Sequence, residues 1–222
     1  EAVRAGITDI LIITNRGKGI IEDHFDHAVE LEAALKAKGG REEMLKELGD
    51  IASMANIFFL RQKVTKGLGH AVLQARSFIG NDPFAVLYGD DVIIGEDPAI
   101  AQLCRAYDKY GKGVVGVNKV SPEAIGKYSS LKVDPIEDRI FKVTDMVEKP
   151  TPDKVLSLYS ILGRCVLEPE IFDVLERTPL GAGGELQLTD AMKTTAREKS
   201  MIAVEFTGKR YDMGNKLGIM KA

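Results

Sequence analysis

Phe84-Ala85-Val86-Leu87-Tyr88 is an apolar run that passes directly into Gly89-Asp90-Asp91, and a helical pattern opens at Pro98. A buried-strand pattern, a polar turn and then a helix is the unit from which parallel sheets are assembled. The unit recurs upstream. Ile10–Thr14 and Ile57–Leu60 read as buried strands. Between them Phe25, Ala28, Val29, Glu32 and Leu35 fall at helical spacing, Gly39-Gly40 interrupts, and Arg41–Leu48 resumes the helix. Gly67 and Gly69 open a further helix carrying Ala71, Val72, Ala75 and Phe78. Downstream, Ile100, Leu103, Cys104 and Tyr107 continue the helix begun at Pro98, and Val114–Val120 is a strand. The alternation predicts an α/β, Rossmann-like domain: a mostly parallel central sheet with helices on both faces. After residue 120 strands dominate, at Leu131–Val133, Ile140–Met146, Ser160–Leu167 and Ile202–Phe206, with helices at Pro169–Arg177 and Leu188–Arg197. No repeat or linker divides the chain, so one domain with a β-rich second half is expected.

Composition narrows the function classes. The chain has 222 residues, 30 Lys+Arg against 33 Asp+Glu, and a formal charge of −3. Hydrophobics at 45% and charges at 28% match a folded soluble protein and exclude a disordered or fibrous chain. The mild acidity argues against a nucleic-acid partner, and no apolar run is long enough to span a bilayer. Nothing resembles a secretory leader. Cys104 and Cys165, each among apolar neighbours, read as reduced core thiols. A cytoplasmic protein without a membrane partner is expected. Glu1–Ala5 reads as a helix tail ended by Gly6, so the sequence is expected to begin downstream of its natural start.

In open α/β sheets ligands collect beyond the carboxyl ends of the strands, and three polar clusters fall at such ends. Thr14-Asn-Arg16-Gly-Lys18 could meet phosphates or be a solvated turn. In Arg61-Gln62-Lys-Val-Thr-Lys66-Gly67-Leu-Gly69-His70-Ala71 the glycines allow close backbone approach. The helix start offers N–H groups to an anion, and the Gln62 amide suits a nucleobase edge. This is not a Walker loop, and His70 reads better as a helix-start hydrogen-bonding residue than as a catalyst. Gly89-Asp90-Asp91 sets adjacent carboxylates after a buried strand. A cation would relieve their repulsion, and Mg²⁺ takes one or two carboxylates plus phosphate oxygens; a capping turn is the alternative. Asp145-Met-Val-Glu148-Lys149-Pro150 places a hydroxyl acceptor beside a phosphate-binding cation, or else a rim ion pair. Lys209-Arg210-Tyr211-Asp212 gives a further carboxylate beside two cations. Because neighbours on a strand point to opposite faces, Glu148 and Lys149 can serve one ligand if the backbone is irregular at 148–150, where Pro150 already discourages a regular strand.

Gln62 with Lys66-Gly-Leu-Gly-His-Ala71, Gly89-Asp-Asp91, Asp145-Met-Val-Glu-Lys-Pro150, Gly183-Gly-Glu-Leu-Gln-Leu-Thr-Asp190 and Lys209-Arg-Tyr-Asp-Met-Gly-Asn-Lys-Leu-Gly218 stand in a recognisable order. Together they resemble the bacterial UTP–glucose-1-phosphate uridylyltransferases (UDP-glucose pyrophosphorylases) over nearly the whole chain. The resemblance implies a nucleotide-diphospho-sugar transferase fold, with a nucleotide-binding half at about 1–120 and a sugar-binding half at about 121–222. It implies the reaction of UTP with glucose 1-phosphate to give UDP-glucose and pyrophosphate, with Mg²⁺. Carried over by motif, Gln62 and Gly67 contact uracil, and Asp90 binds the metal with Asp212 as a second carboxylate. Glu148 holds glucose hydroxyls, and Lys149 holds the phosphate. Asp90 and Lys149 are thereby the candidate catalytic residues. The family is often oligomeric, which makes a homo-oligomer one expectation.

Three departures from the family stand out. Tyr128-Ser129-Ser130 replaces a common Tyr-Gly, so Ser129 is expected to crowd or hydrogen-bond the sugar. The family's Gly-rich, Thr-Arg and Lys-bearing loop, which cradles the triphosphate, would precede Glu1, and a further helix would follow Ala222. Arg16, Lys18 and Lys66 are then the nearby cations for the β and γ phosphates, and these 222 residues alone are expected to turn over poorly. Two other readings stay open: a related dTTP-using sugar-1-phosphate nucleotidyltransferase, and a non-catalytic module that binds sugar nucleotides.

Overall fold

A computed structural model of the chain describes residues 1–214 and 216–221. It opens with a single 3-10 turn that Gly6 ends in the left-handed conformation, φ 86°. Strand β1 (Asp9–Thr14) follows, then helices α1 (Gly19–Phe25), α2 (Val29–Lys38) and α3 (Glu42–Ala52), and strand β2 (Asn56–Arg61). The helical pattern read from Phe25 starts later, because the extended backbone of Asp26 (φ −93°, ψ 164°) ends α1 before α2 begins; the interruption at Gly39-Gly40 is present between α2 and α3. Helices α4 (Leu68–Gln74) and α5 (Arg76–Ile79) lead to β3 (Phe84–Leu87), β4 (Asp91–Ile94), α6 (Ala99–Tyr110) and β5 (Val114–Lys119). The second half holds β6 (Ser129–Glu137), β7 (Ile140–Glu148), β8 (Tyr159–Leu167), α7 (Ile171–Arg177), α8 (Leu188–Lys199), β9 (Met201–Glu205), β10 (Lys209–Asp212) and α9 (Lys216–Lys221).

Six strands form the central sheet in the order β3-β8-β5-β9-β7-β6, while β1 pairs with β2 in parallel and β4 with β10 antiparallel. The sheet is mixed, which corrects the mostly parallel expectation. Only the β5–β9 contact within it is parallel; β3–β8, β5–β8, β7–β9 and β6–β7 are antiparallel. The reason is local. β6 and β7 are joined by a two-residue turn at Asp138-Arg139, with Arg139 at φ 59°, and so must run antiparallel. β7 and β8 do not pair: they run in the same direction with β9 and β5 between them.

Strand alternation builds a core on each face of this sheet. Val115, Val117, Cys165, Leu167, Met201 and Ala203 pack toward α7 and α8, against Phe172, Leu175, Leu188 and Met192. Their neighbours Val114, Val166, Ile202 and Val204 point the other way, onto Ile100, Leu103 and Ala106 of α6. Helices on both faces were expected, and here they are. At roughly 1.5–3 kcal/mol per fully buried aliphatic side chain, these layers hold the scaffold rigid beneath its loops. Among the described residues no helix is long and apolar enough to cross a membrane.

Cys165 has no exposed surface, and burial pushes its thiol up to about 12, whereas Cys104 is half-buried. A thiol reagent should therefore label Cys104 in the native protein and reach Cys165 only on unfolding. Because the unfolded thiol ionises near its ordinary value of 9.0 and the folded one does not, stability should decline as pH rises from there toward 12. Equal labelling rates for the two thiols would contradict the packing.

Candidate active site

The end of β2 delivers Gln62, which is 9% exposed and whose backbone N–H donates to Thr14 O across the β1–β2 ends. Its side-chain nitrogen donates to Gly67 O at 3.3 Å and faces His70 Nδ1 at 2.8 Å. His70 Nε2 in turn meets Gln74 Nε2 at 3.4 Å. His70 is thus a fixed hydrogen-bonding residue of α4, as expected.

Gly67 has φ 98°, and a β-carbon there would lie 2.7 Å from Leu186 O and 2.8 Å from Glu185 Cβ. One at Gly69 would lie 2.8 Å from the same Leu186 O. The Gly69 N–H donates to Leu186 O at 2.9 Å, and the Leu186 N–H donates to Lys66 O at 2.8 Å. The close approach that the glycines allow is therefore made by the 185–187 backbone. Lys66, Arg16 and Lys18 are exposed.

Glu185–Gln187 leads straight into α8, whose buried Thr189 donates its hydroxyl to Glu148 Oε2 at 2.8 Å. Glu148 is the last residue of β7. Lys149 then turns into the left-handed region at φ 45°, ahead of buried Pro150. The irregular backbone expected at 148–150 is present. The turn sends Lys149 off the strand, and its side chain is exposed with no ion-pair partner among the described residues. Strain of this kind costs of order 1–3 kcal/mol and collects at functional sites. Replacing Thr189 with Val removes one hydroxyl at nearly constant volume. A hydrogen bond to a charged group is worth roughly 1.5–3 kcal/mol, so if Glu148 binds a ligand, KM for that ligand should rise about tenfold with kcat little changed. An unchanged KM would mean that Glu148 does not depend on Thr189.

The Lys149 N–H donates to Tyr128 O at 2.8 Å, and the Tyr128 hydroxyl donates to Asp212 Oδ2 at 3.0 Å. The Gly214 N–H donates to Asp212 Oδ1 at 2.9 Å, and the Met213 N–H donates to Asp90 O at 2.7 Å. A β-carbon at Gly214 would stand 3.1 Å from Asp212 Oδ1 and 3.4 Å from Asp90 Oδ2, so the two carboxylates flank one small space. Asp90 itself is exposed in the turn between β3 and β4. Among the described residues no group of three or more His, Cys, Asp or Glu side chains gathers. What the turn offers is a carboxylate pair.

Asp91 behaves differently from Asp90. It is 7% exposed, with Oδ1 at 2.6 Å from Arg210 Nε. Burial pushes its carboxyl above the usual range; the Arg210 bond opposes this, while the charges of Asp90 and Asp212 add to it. Burial likewise raises the phenol of Tyr88, at the end of β3, and Cys165, Glu148, Asp91 and Asp90 push the same way.

Ser129 is corrected by the structure. It is 4% exposed, its hydroxyl accepts the Ile161 N–H at 3.1 Å and meets Ser160 Oγ at 3.3 Å. It stitches β6 to β8 and is not free to meet a sugar. Asp145, from the same motif as Glu148, is held by Arg197 Nε and Nη2 at 3.0 and 2.8 Å. Burial opposes its ionisation, but the Arg197 and Met146 hydrogen bonds outweigh that and hold its carboxyl below the usual range. Asn215, from the last motif, lies outside the described residues.

Sequence reasoning missed Arg164. Its guanidinium, 4% exposed, donates to Gly163 O at 2.8 Å, Tyr88 O at 3.4 Å and Asp91 O at 2.9 Å, and pairs with Glu1 at 2.7 Å. It brackets the turn that carries Asp90. The signal was available: an Arg inside the apolar Ser160–Leu167 run had to be paired.

The family described as nucleotidyl transferase matches residues 1–222. The chain is 50% identical over 222 residues to UTP–glucose-1-phosphate uridylyltransferase YngB of Bacillus subtilis (strain 168), covering 100% of this chain and 74% of that protein. It belongs to the UTP–glucose-1-phosphate uridylyltransferase family. Solved structures agree. A UDP-glucose pyrophosphorylase complexed with UDP-glucose superposes with a TM-score of 0.90 at 36% identity, over 100% of this chain and 81% of that one. A UTP-bound relative from Acinetobacter baumannii does so with a TM-score of 0.89 at 33% identity, over 99% and 77%. In this uridylyltransferase chain, then, Gln62, Gly67, Leu186, Thr189, Glu148, Lys149, Tyr128, Asp212 and Asp90 are linked in one run of contacts and chain neighbours.

Proposed function

We propose that this chain transfers a uridylyl group from UTP to glucose 1-phosphate, giving UDP-glucose and pyrophosphate. The carrying observation is Tyr128, whose carbonyl holds the Lys149 N–H while its hydroxyl holds Asp212. One residue thus joins the end that would take sugar and phosphate to the end that would take a cation. The names of the relatives, which concern UTP, glucose 1-phosphate and UDP-glucose, support the same reading.

In this reading residues 1–120 bind the nucleotide and residues 121–222 the sugar. Gln62, held by Gly67 O and His70, meets the uracil edge together with the Gly67 peptide. Glu148, aligned by Thr189, accepts from glucose hydroxyls. Lys149, sent off the strand by its left-handed backbone, holds the phosphate of glucose 1-phosphate. An oxygen of that phosphate attacks the α-phosphorus of UTP in line, forming one P–O bond as the bond to pyrophosphate breaks. No side-chain nucleophile is required, and positioning with charge neutralisation carries the rate. The residues fit Mg²⁺, because two carboxylates flank one space beside the proposed phosphate site. Asp90 and Asp212 would hold it, and when bound it would neutralise phosphate charge. A cytoplasmic enzyme of carbohydrate metabolism fits these substrates.

The test is calorimetry of UDP-glucose binding and steady-state turnover on the same preparation. Micromolar binding with turnover that prefers UTP to dTTP is expected. Equal turnover with dTTP would move the assignment to the thymidylyl side.

A further inference from the structure

Antiparallel pairing of β4 with β10 sets Asp91 directly opposite Asp212, and Arg210 lies on the same face as Asp212, two residues earlier. Like charges facing one another across a ladder are destabilising. Arg210 resolves the conflict by reaching diagonally to Asp91. Its Nε lies 2.6 Å from Asp91 Oδ1 and its Nη2 lies 3.8 Å from Asp212 Oδ2. The guanidinium also sits over the Tyr128 ring, 5.2 Å from the centroid, and the hydroxyl of that ring donates to Asp212 Oδ2 at 3.0 Å. Asp91 packs closely on Gly163, where a β-carbon would fall 2.5 Å from Asp91 Oδ2. Its carbonyl is fixed separately by Arg164 Nη2 at 2.9 Å.

We propose that Asp91, Arg210 and Tyr128 are positioning residues that keep the Asp212 carboxylate beside Asp90, with Asp91 anchoring Arg210 instead of ligating a metal. The proposal rests on the reading of Asp90 and Asp212 as the divalent-cation pair. It assigns the adjacent aspartates different work: the exposed Asp90 faces the cation, and the buried Asp91 holds the cationic side chain that orients the second ligand. Groups that orient metal ligands typically change metal affinity or activity 10–100-fold when removed.

The experiment titrates the protein with Mn²⁺ alone and reads free Mn²⁺ by its paramagnetic resonance. Tyr128→Phe is the lead variant, since it deletes one hydroxyl and keeps the ring beneath Arg210. Its Kd for Mn²⁺ should weaken about tenfold, with Tm unchanged. Asp91→Asn should weaken Mn²⁺ binding to a similar degree, because Arg210 is freed to pair with Asp212. Abolition by Asp91→Asn together with unaltered binding in Tyr128→Phe would overturn the proposal and make Asp91 a ligand. Unaltered Mn²⁺ binding in both Asp90→Asn and Asp212→Asn would instead remove the cation pair itself, and the proposal with it. That pattern distinguishes failure of the metal reading from failure of the positioning role.

Discussion

Replacing Asp90 with Asn should lower kcat by about 10³-fold while leaving KM for glucose 1-phosphate nearly unchanged. Asp90 is exposed, and what holds it in place is backbone: Met213 N–H on its carbonyl and Arg164 bonded to the carbonyls of Tyr88 and Asp91 on either side. The substitution therefore leaves the turn intact and removes charge alone. A cation at the Asp90–Asp212 pair would stabilise developing charge by several kcal/mol, and about 4 kcal/mol corresponds to 10³ in rate. Glu148 and Lys149 are held by Thr189 and by the Tyr128 carbonyl, not by Asp90, and keep those contacts, so sugar-phosphate binding survives. Steady-state kinetics at saturating Mg²⁺ check this, and wild-type kcat in the Asn variant would remove Asp90 from the chemistry.

The second large effect is structural. Gly67→Ala forces a β-carbon to within 2.7 Å of Leu186 O and 2.8 Å of Glu185 Cβ at a φ of 98°. A left-handed backbone costs a non-glycine residue roughly 1–2 kcal/mol, and overpacking adds about 1–3. The obstructing atoms belong to the chain's backbone and its first side-chain carbon, so no rotamer change relieves the clash. The expected loss is about 3 kcal/mol, or about 10 °C in Tm for a protein of this size. Because Glu185–Gln187 continues into the turn of α8 that carries Thr189, KM should rise for UTP and glucose 1-phosphate together. Thermal unfolding and kinetics on the Ala variant measure both, and an unchanged Tm would show that the contact with Leu186 is slack.

Much of this was legible in the sequence, for physical reasons. The strand cores at Ile10–Thr14 and Ser160–Leu167 were visible as runs rich in apolar and β-branched residues; Ser160–Leu167 is buried on both faces as that pattern implies, whereas Ile10–Ile13 is only half-buried. Strand direction was not, since apolar runs carry no orientation; the short β6–β7 turn, which forces an antiparallel pair, is one local feature that sets it. β4 and β10 escaped notice because four-residue strands are too short to give a periodic signal. Motif order picked out Gln62, Gly67, Asp90, Glu148, Lys149 and Asp212, which the fold links through Leu186, Thr189 and Tyr128. It misjudged Ser129, because its pairing with the Ile161 N–H depends on β6 meeting β8, a contact between segments far apart in sequence. The division of labour between Asp90 and Asp91 was hidden for the same reason, since Arg210 approaches from the distant β10.

The central claim is uridylyl transfer at the site joined by Tyr128. Phosphorus NMR of the protein incubated with UTP, glucose 1-phosphate and Mg²⁺ tests it most directly, with calorimetric UDP-glucose binding measured on the same sample. The account predicts that UDP-glucose and pyrophosphate appear one for one, at a rate that dTTP does not match. Binding of UDP-glucose with no pyrophosphate formed would contradict it, and would make the protein a sugar-nucleotide-binding module.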